Sequence, residues 1–315
     1  MSAIRQPHRS QRIVVPTHKY SREQMVSRAV GLIGAGNVGG RMAKDLAAAG
    51  YRVTVLDPSE KAQSRARANG AACAADLAEL VAASEIVLLS LPNSDIVDEV
   101  VAGDGGLLSL LPPGRLLVDM STSLPARTLR LVELCERAGV RMIDAPITLG
   151  SPHGMVIMAG GPQEWYDEAK PLFDVVGYKS TLVGPHGHGH VTKLVQNMIS
   201  GVNTAIVAEA AAYAAKAGVD IGRIVEALRD TSANSGAMAS MMRRDFGDGG
   251  QLALHHKDLG YALRSGADVG AAMPFTELLR DVFGDTLEHG DTHWSQVACV
   301  TYWERRMDVE VNAER

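Results

Sequence analysis

The 315-residue chain is short of rings, of thiols and of long apolar runs. Aromatic side chains make up 4% of it. An interior so poor in Phe, Tyr and Trp is filled by Ala, Val, Leu and Met, which predicts closely packed helices and tight backbone contacts. The 3 cysteines, Cys73, Cys135 and Cys299, are odd in number and far apart. They fit neither a disulfide framework nor a zinc spacing, and they point to a reducing compartment. No stretch of about 18 apolar residues runs without polar breaks, so a membrane span is not expected. Acids are missing from positions 1–22, which carry Arg5, Arg9, Arg12, Lys19 and Arg22; the first acid is Glu23. Taking those five positives from a net charge of −5 leaves −10 on the remainder, which speaks against general nucleic-acid binding.

Residues 1–27 read as a flexible basic extension. A targeting peptide is the other reading, but the segment has no apolar core, and Pro7 and Pro16 interrupt any amphipathic helix. A cytoplasmic location is expected, or the mitochondrial matrix if that segment is a transit peptide.

What is present is 46% apolar residues and 32 glycines, arranged in a clear alternation. Short apolar runs at 29–33, 51–56, 85–90, 115–119, 140–143 and 155–158 read as strands. A helix over 37–49 ends at Gly50. Ser123 reads as the N-cap of a helix carrying Pro125 in its first turn and running to about residue 138. The alternation predicts βαβ units and a mostly parallel sheet. Past Gly184 no strand is expected. A helix begins near Gly189 and is Ala-rich over 193–217, with Gly218 placed to end it. More helices follow at 221–229, 257–266, 274–287 and 294–306. The central one is apolar on most sides and so needs burial, which predicts a second subunit against it.

Gly34-Ala35-Gly36-Asn37-Val38-Gly39 follows the first strand and opens the first helix, the context a dinucleotide loop requires. The first Gly allows the turn, the second lets backbone approach a pyrophosphate, and the third lets helix and strand pack. The helix N-terminus offers N–H groups to phosphate. Asp57 ends the second strand, where a carboxylate accepts from a ribose 2′-hydroxyl and repels a 2′-phosphate. NAD is therefore expected over NADP. The alternative is a glycine turn that binds nothing.

Leu91-Pro92-Asn93 and Asp119-Met120-Ser121-Thr122-Ser123 lie past carboxyl ends of strands, where ligands bind in open parallel sheets. An ordinary turn explains the first equally well, and capping alone explains Ser123. Ser121 and Thr122 are within reach of cofactor or substrate. Asp144-Ala145-Pro146-Ile147-Thr148-Leu149-Gly150 is a further such loop. After Gly187 and Gly189, Lys193 and Asn197 stand one turn apart on one helix face. Such a lysine is either a solvated surface charge or, desolvated by the apolar helix, a general base with a depressed pKa. His186, His188 and His190 have no acid or cysteine beside them, so no metal is expected.

Taken in order, these motifs resemble the β-hydroxyacid dehydrogenases, the group of 3-hydroxyisobutyrate dehydrogenase and tartronate semialdehyde reductase, with 6-phosphogluconate dehydrogenase more distant. The resemblance spans about residues 28–306. It rests on Gly34, Gly36 and Gly39, on Leu91 and Pro92, on Asp119 to Thr122, on Gly187, Gly189, Lys193 and Asn197, and on Lys257 and Asp258. It implies an α/β fold with an N-terminal Rossmann domain (28–188), a long joining helix and an all-α C-terminal domain (189–315), usually dimeric or tetrameric. It further implies Lys193 as general acid/base, Asn197 as its substrate-binding partner, Thr122 near the nicotinamide and Lys257 near cofactor and substrate. Ser121, Thr148, Leu149, Gly150 and Asp258 would complete the substrate pocket. Two positions depart from the pattern: Leu149 stands where the family has Gly, and Gln196 where it has the first of two Asn. The expected activity is NAD-dependent oxidation of a small, anionic β-hydroxy acid, or the reverse reduction. An imine reductase of the same fold generally lacks the lysine, and a silent nucleotide-binding scaffold would lose the Lys/Asn pair.

Overall fold

A computed structural model describes residues 28–151, 154–247, 251–291 and 293–312. The basic extension expected over 1–27 lies outside the described residues.

The first half alternates as its apolar periodicity requires. β1 (Ala29–Ile33) leads through the glycine turn into α1 (Asn37–Ala48), then β2 (Arg52–Leu56), α2 (Glu60–Ala68), β3 (Ala72–Cys73) and α3 (Leu77–Ala82). β4 (Ile86–Leu89), α4 (Ser94–Ala102), α5 (Leu107–Leu110), β5 (Leu116–Asp119), α6 (Pro125–Arg137) and β6 (Arg141–Asp144) follow. β7 (Ile147–Ser151), β8 (Gly154–Gly160), α7 (Gln163–Val176) and β9 (Gly177–Gly184) complete a sheet ordered β3-β2-β1-β4-β5-β6-β8-β7, with β9 paired to β8. β1 through β6 pair in parallel, whereas β8 runs antiparallel to both β6 and β7.

Strands buried on both faces explain the unbroken apolar runs. In β4, Ile86 and Leu88 face one core, shared with α1, α2 and α7. Val87 and Leu89 face the other, shared with α3 to α6. Burying side chains of this size contributes about 2 kcal/mol each.

Beyond Gly184 the described residues hold no strand. α8 (His188–Lys216) runs through the second half, followed by α9 (Ile221–Ala227), α10 (Gly236–Met242), α11 (Gln251–Asp268), α12 (Pro274–Glu288), a 3-10 turn (Gln296–Cys299) and α13 (Val300–Met307). α8 is long and apolar enough, by length and composition, to cross a membrane. One face of it, with Gly201, Ala208, Ala211, Ala212 and Ala215, is the buried spine of the helical core. Small residues allow that approach: a Cβ on Gly201 would stand 2.7 Å from Leu279. The other face leaves Val195, Ile199, Ile206 and Tyr213 exposed, so the helix is not buried all round within one chain.

Three local expectations need correction. Ser123 does not cap α6; the cap position is Leu124, with Pro125 opening the helix, and the Ser123 hydroxyl donates to Asp119 instead. β3 escapes the apolar pattern because it is two residues long, β9 because none of it is buried, and β7 because Thr148, Gly150 and Ser151 interrupt its apolar run. The helix expected from residue 257 begins at Gln251, which adds six residues to it, three of them at the cleft described next.

Candidate active site

A cleft of about 1030 Å³ opens outside the carboxyl ends of β1, β2, β4 and β5 and is walled on its far side by α8 and α11. Its nucleotide half is built from backbone. Gly34 has φ +92°, a left-handed conformation that side chains resist, and a Cβ there would meet Ser90 O at 2.2 Å. A Cβ on Gly39 would stand 2.0 Å from Gly34 O, so only glycine lets α1 pack against the turn. A Cβ on Gly36 would meet no protein atom within 4 Å; it would occupy the cleft itself. Gly36 caps α1 without a side-chain hydrogen bond, which leaves the first N–H groups of that helix for a phosphate.

Gly34, Gly36, Asn37, Val38, Gly39 and Asp57 all line the cleft. Ala35 does not: it is fully buried, and its N–H donates to Asp57 Oδ2 at 2.6 Å. Asp57 Oδ1 accepts from Ser59 N at 2.8 Å, so the carboxylate is held between both loops. This glycine cradle, with a fixed acid at its ribose end, fits a nicotinamide dinucleotide.

Leu91, Pro92, Ser121 and Thr122 line the middle of the cleft. Ser121 Oγ accepts from Leu91 N at 2.9 Å and stitches the two loops together. Lys257, on α11, donates to Pro92 O at 2.9 Å and faces Thr122 O at 3.5 Å. Tyr261, one turn further, accepts from Ser94 N at 3.2 Å, and the Lys257 ammonium lies 4.8 Å above its ring. The helical half is thus pinned across the cleft to the sheet half.

Lys193 lines the reactive end and is buried, at 8% exposure. Its Nζ donates to Gln196 Oε1 and to Asn197 Oδ1, both at 2.9 Å. Gln196, which departs from the family pattern, therefore still turns an amide oxygen toward the lysine. Asn197 Nδ2 donates to Asp258 Oδ2 at 2.7 Å. Both ends of the Asn197 amide are engaged, and it stands behind the cleft wall, gripping Lys193. Desolvation pushes the Lys193 pKa down to about 8, with Lys257 adding to the fall and Asp258 opposing it. Burial raises the Asp258 carboxyl, against the pull of Lys257, Lys193 and the Asn197 hydrogen bond.

The start of α8 is set by Asp144, whose carboxylate accepts from Gly187 N at 2.8 Å and from His190 N at 2.9 Å. His190 is fully buried, with Nδ1 2.8 Å from the Thr128 hydroxyl and Nε2 3.1 Å from Ser121 O. A carbonyl only accepts, so Nε2 carries the proton, and the ring braces the Ser121 loop. His186 lies against Met142 O and the Trp165 ring. Among the described residues no three His, Cys, Asp or Glu side chains are grouped to hold a metal ion. Burial pushes the Cys135 and Cys299 thiols up to about 12, which keeps them unreactive.

Thr148 lines the cleft beside Ile147. Leu149 and Gly150 lie on β7, with the Leu149 side chain outside the described residues. The sequence reading missed His255, Leu254 and Gln251, which line the cleft from α11. Residues 251, 254, 255 and 258 recur at helical spacing, so extending the helix back from Asp258 would have found them.

The signature of the NAD binding domain of 6-phosphogluconate dehydrogenase matches residues 29–184. That of the NAD-binding region of NADP-dependent 3-hydroxyisobutyrate dehydrogenase matches residues 187–303. A 2-(hydroxymethyl)glutarate dehydrogenase from Eubacterium barkeri is 32% identical over 292 residues, 90% of this chain and 97% of its own. A 2-hydroxy-3-oxopropionate reductase from Escherichia coli K12 is 32% identical over 281 residues, 86% of this chain and 95% of its own. Among solved structures, Mycobacterium tuberculosis 3-hydroxyisobutyrate dehydrogenase with L-serine superposes with a TM-score of 0.79 at 25% identity, covering 88% of this chain and 99% of that one. Continuous matches across both halves, with the glycine cradle and buried lysine in place, show that the chain belongs to the β-hydroxyacid dehydrogenase family of NAD(P)-dependent oxidoreductases acting on CH–OH groups.

Proposed function

We propose that the chain interconverts a small β-hydroxy acid and its aldehyde or ketone, with Lys193 as general acid/base and NAD as the preferred cofactor. The observation that carries this reading is a buried lysine at the reactive end of a dinucleotide cleft, held by two amide oxygens. NAD, held by Gly34, Gly36, Asn37, Val38, Gly39 and Asp57, supplies hydride acceptance and donation when bound. In oxidation, neutral Lys193 Nζ accepts the proton of the substrate hydroxyl. In reduction, the Lys193 ammonium donates it to the forming alkoxide. Gln196 and Asn197 fix the direction of Nζ, and Asp258 fixes Asn197. Thr148 and the β7 backbone receive the substrate carboxylate, while Lys257 holds the Pro92 and Thr122 loops in place. Asp57 supports NAD because its fixed carboxylate would repel a 2′-phosphate.

Lys193→Ala should lower turnover by about 10²–10⁴-fold, the range of a lost general acid/base, while NADH still binds. Near-normal turnover would remove Lys193 from the mechanism. Comparing kcat/KM with NAD and NADP over a panel of hydroxy acids tests the cofactor preference in the same experiment.

The exposed stripe Val195, Ile199, Ile206 and Tyr213 on α8 supports assembly through the helical half as a dimer or tetramer. The net charge and the cysteines without a disulfide support a soluble enzyme of a reducing compartment.

A further inference from the structure

His255 is a polar residue of the cleft to which the chemistry above gives no task. It stands on α11 between Gln251 and Asp258, on the face that walls the reactive end, with Leu254 beside it. Its Nδ1 is sealed from solvent and has no hydrogen-bond partner. Among the described residues Nε2 has none either, and it is not sealed. A buried bare lone pair costs less than a buried orphan N–H, so the ring keeps Nδ1 bare and carries its proton on Nε2, the unsealed nitrogen of a side chain that lines the cleft. Burial, with the Lys193 ammonium nearby, lowers the imidazole pKa to about 4, so the ring is a neutral donor at working pH.

Two ammonium groups, those of Lys193 and Lys257, already line this end of the cleft. A neutral donor adds little to the attraction these charges already exert on an anionic substrate. It does separate uncharged substituents that accept a hydrogen bond from those that do not. In a β-hydroxy acid the carbon between the carboxylate and the reacting carbinol is C2. A methyl and a hydroxyl there are nearly the same size, so an apolar wall separates them poorly, whereas a buried donor left unpaired by the methyl separates them strongly.

We infer that His255 donates to an oxygen substituent at C2 of the substrate, so that the chain selects 2-hydroxylated over 2-alkylated 3-hydroxy acids. This rests on the proposed β-hydroxy acid chemistry and narrows its substrate class.

The test uses racemic 2,3-dihydroxypropanoate and racemic 3-hydroxy-2-methylpropanoate on the full chain. Calorimetry gives the Kd of each acid for the protein–NADH complex, which cannot oxidise them, and initial rates with NAD give kcat/KM. The wild type is expected to favour the dihydroxy acid at least tenfold in both. His255→Leu should bring that ratio close to one, with KM carrying the change, and His255→Gln, which keeps a donor, should retain part of it. A wild-type ratio of one or below overturns the assignment, as does an undiminished ratio in His255→Leu. Should that variant not fold, His255→Met, which likewise has no donor, takes its place, and an undiminished ratio there overturns the assignment. A binding ratio that holds without turnover supports the role of His255 and refutes the proposed reaction instead.

Discussion

Moving the Lys193 pKa from 10.5 to about 8 changes what the enzyme can do at neutral pH. A free lysine at pH 7 is neutral in about 0.03% of molecules; at a pKa near 8 about 9% are neutral, roughly a 300-fold gain in available base. The ammonium form still dominates at pH 7, which favours proton donation in reduction. Initial-rate kcat/KM for oxidation should therefore climb with pH to a plateau, half-maximal near pH 8. For reduction the same group should give the mirror profile, falling as pH rises through 8. The neighbours set the sign of further shifts. Asp258 raises this pKa, so Asp258→Asn should move the half-point down; Lys257 lowers it, so Lys257→Met should move it up. Lys193→Arg, whose guanidinium stays protonated, should abolish the inflection together with most of the oxidation rate. An inflection near pH 8 that persists in Lys193→Arg, or a flat wild-type profile from pH 6.5 to 9.5, would refute the assignment of the proton to this lysine.

Gly39→Ala places a methyl 2.0 Å from Gly34 O; a loss of about 2–4 kcal/mol in chemical unfolding, with NADH binding impaired, is expected. Asp57→Ser removes the fixed carboxylate and should narrow the preference for NAD over NADP about tenfold or more, read as a ratio of kcat/KM values. Asp144→Asn weakens the N-terminal hold on α8 and should lower stability by about 1–2 kcal/mol, with a fall in kcat as Lys193 loosens. Ile206→Glu on the exposed stripe of α8 should shift the light-scattering mass toward one chain, and an unchanged mass would place the interface elsewhere.

Much of this was legible in the sequence because the signals are local. The runs that became β1, β4 and β5 are buried on both faces and therefore unbroken, and the glycine turn names its ligand by its position between strand and helix. Lys193 stood out as a candidate because it opens an apolar helix one turn before Asn197, but the same position suits a solvated surface charge, and its burial at 8% exposure is seen only in the fold. What stayed hidden depends on distant segments. The resemblance implies Asn197 as a substrate contact, but nothing local shows that Asp258, 61 residues away, takes a hydrogen bond from its amide while Lys193 donates to its oxygen. Ser123 reads as a cap because nothing in its own stretch shows that its hydroxyl will donate to Asp119 instead. His255 went unseen because the helix was expected to start at residue 257, which cut off the turn that shares its face with Asp258.

The Asp144 carboxylate fixes the first turn of α8, and Lys193 lies less than two turns beyond it on the same rigid rod. Each residue inserted or deleted between Gly187 and Lys193 would swing the ammonium by about 100° around the helix axis and slide it by about 1.5 Å. Loops on either side of the cleft can lengthen or shorten without moving Lys193, but this short interval cannot. Across related chains, tolerance of insertions should therefore fall to nothing between those two positions and recover outside them, whatever substrate each chain has come to use.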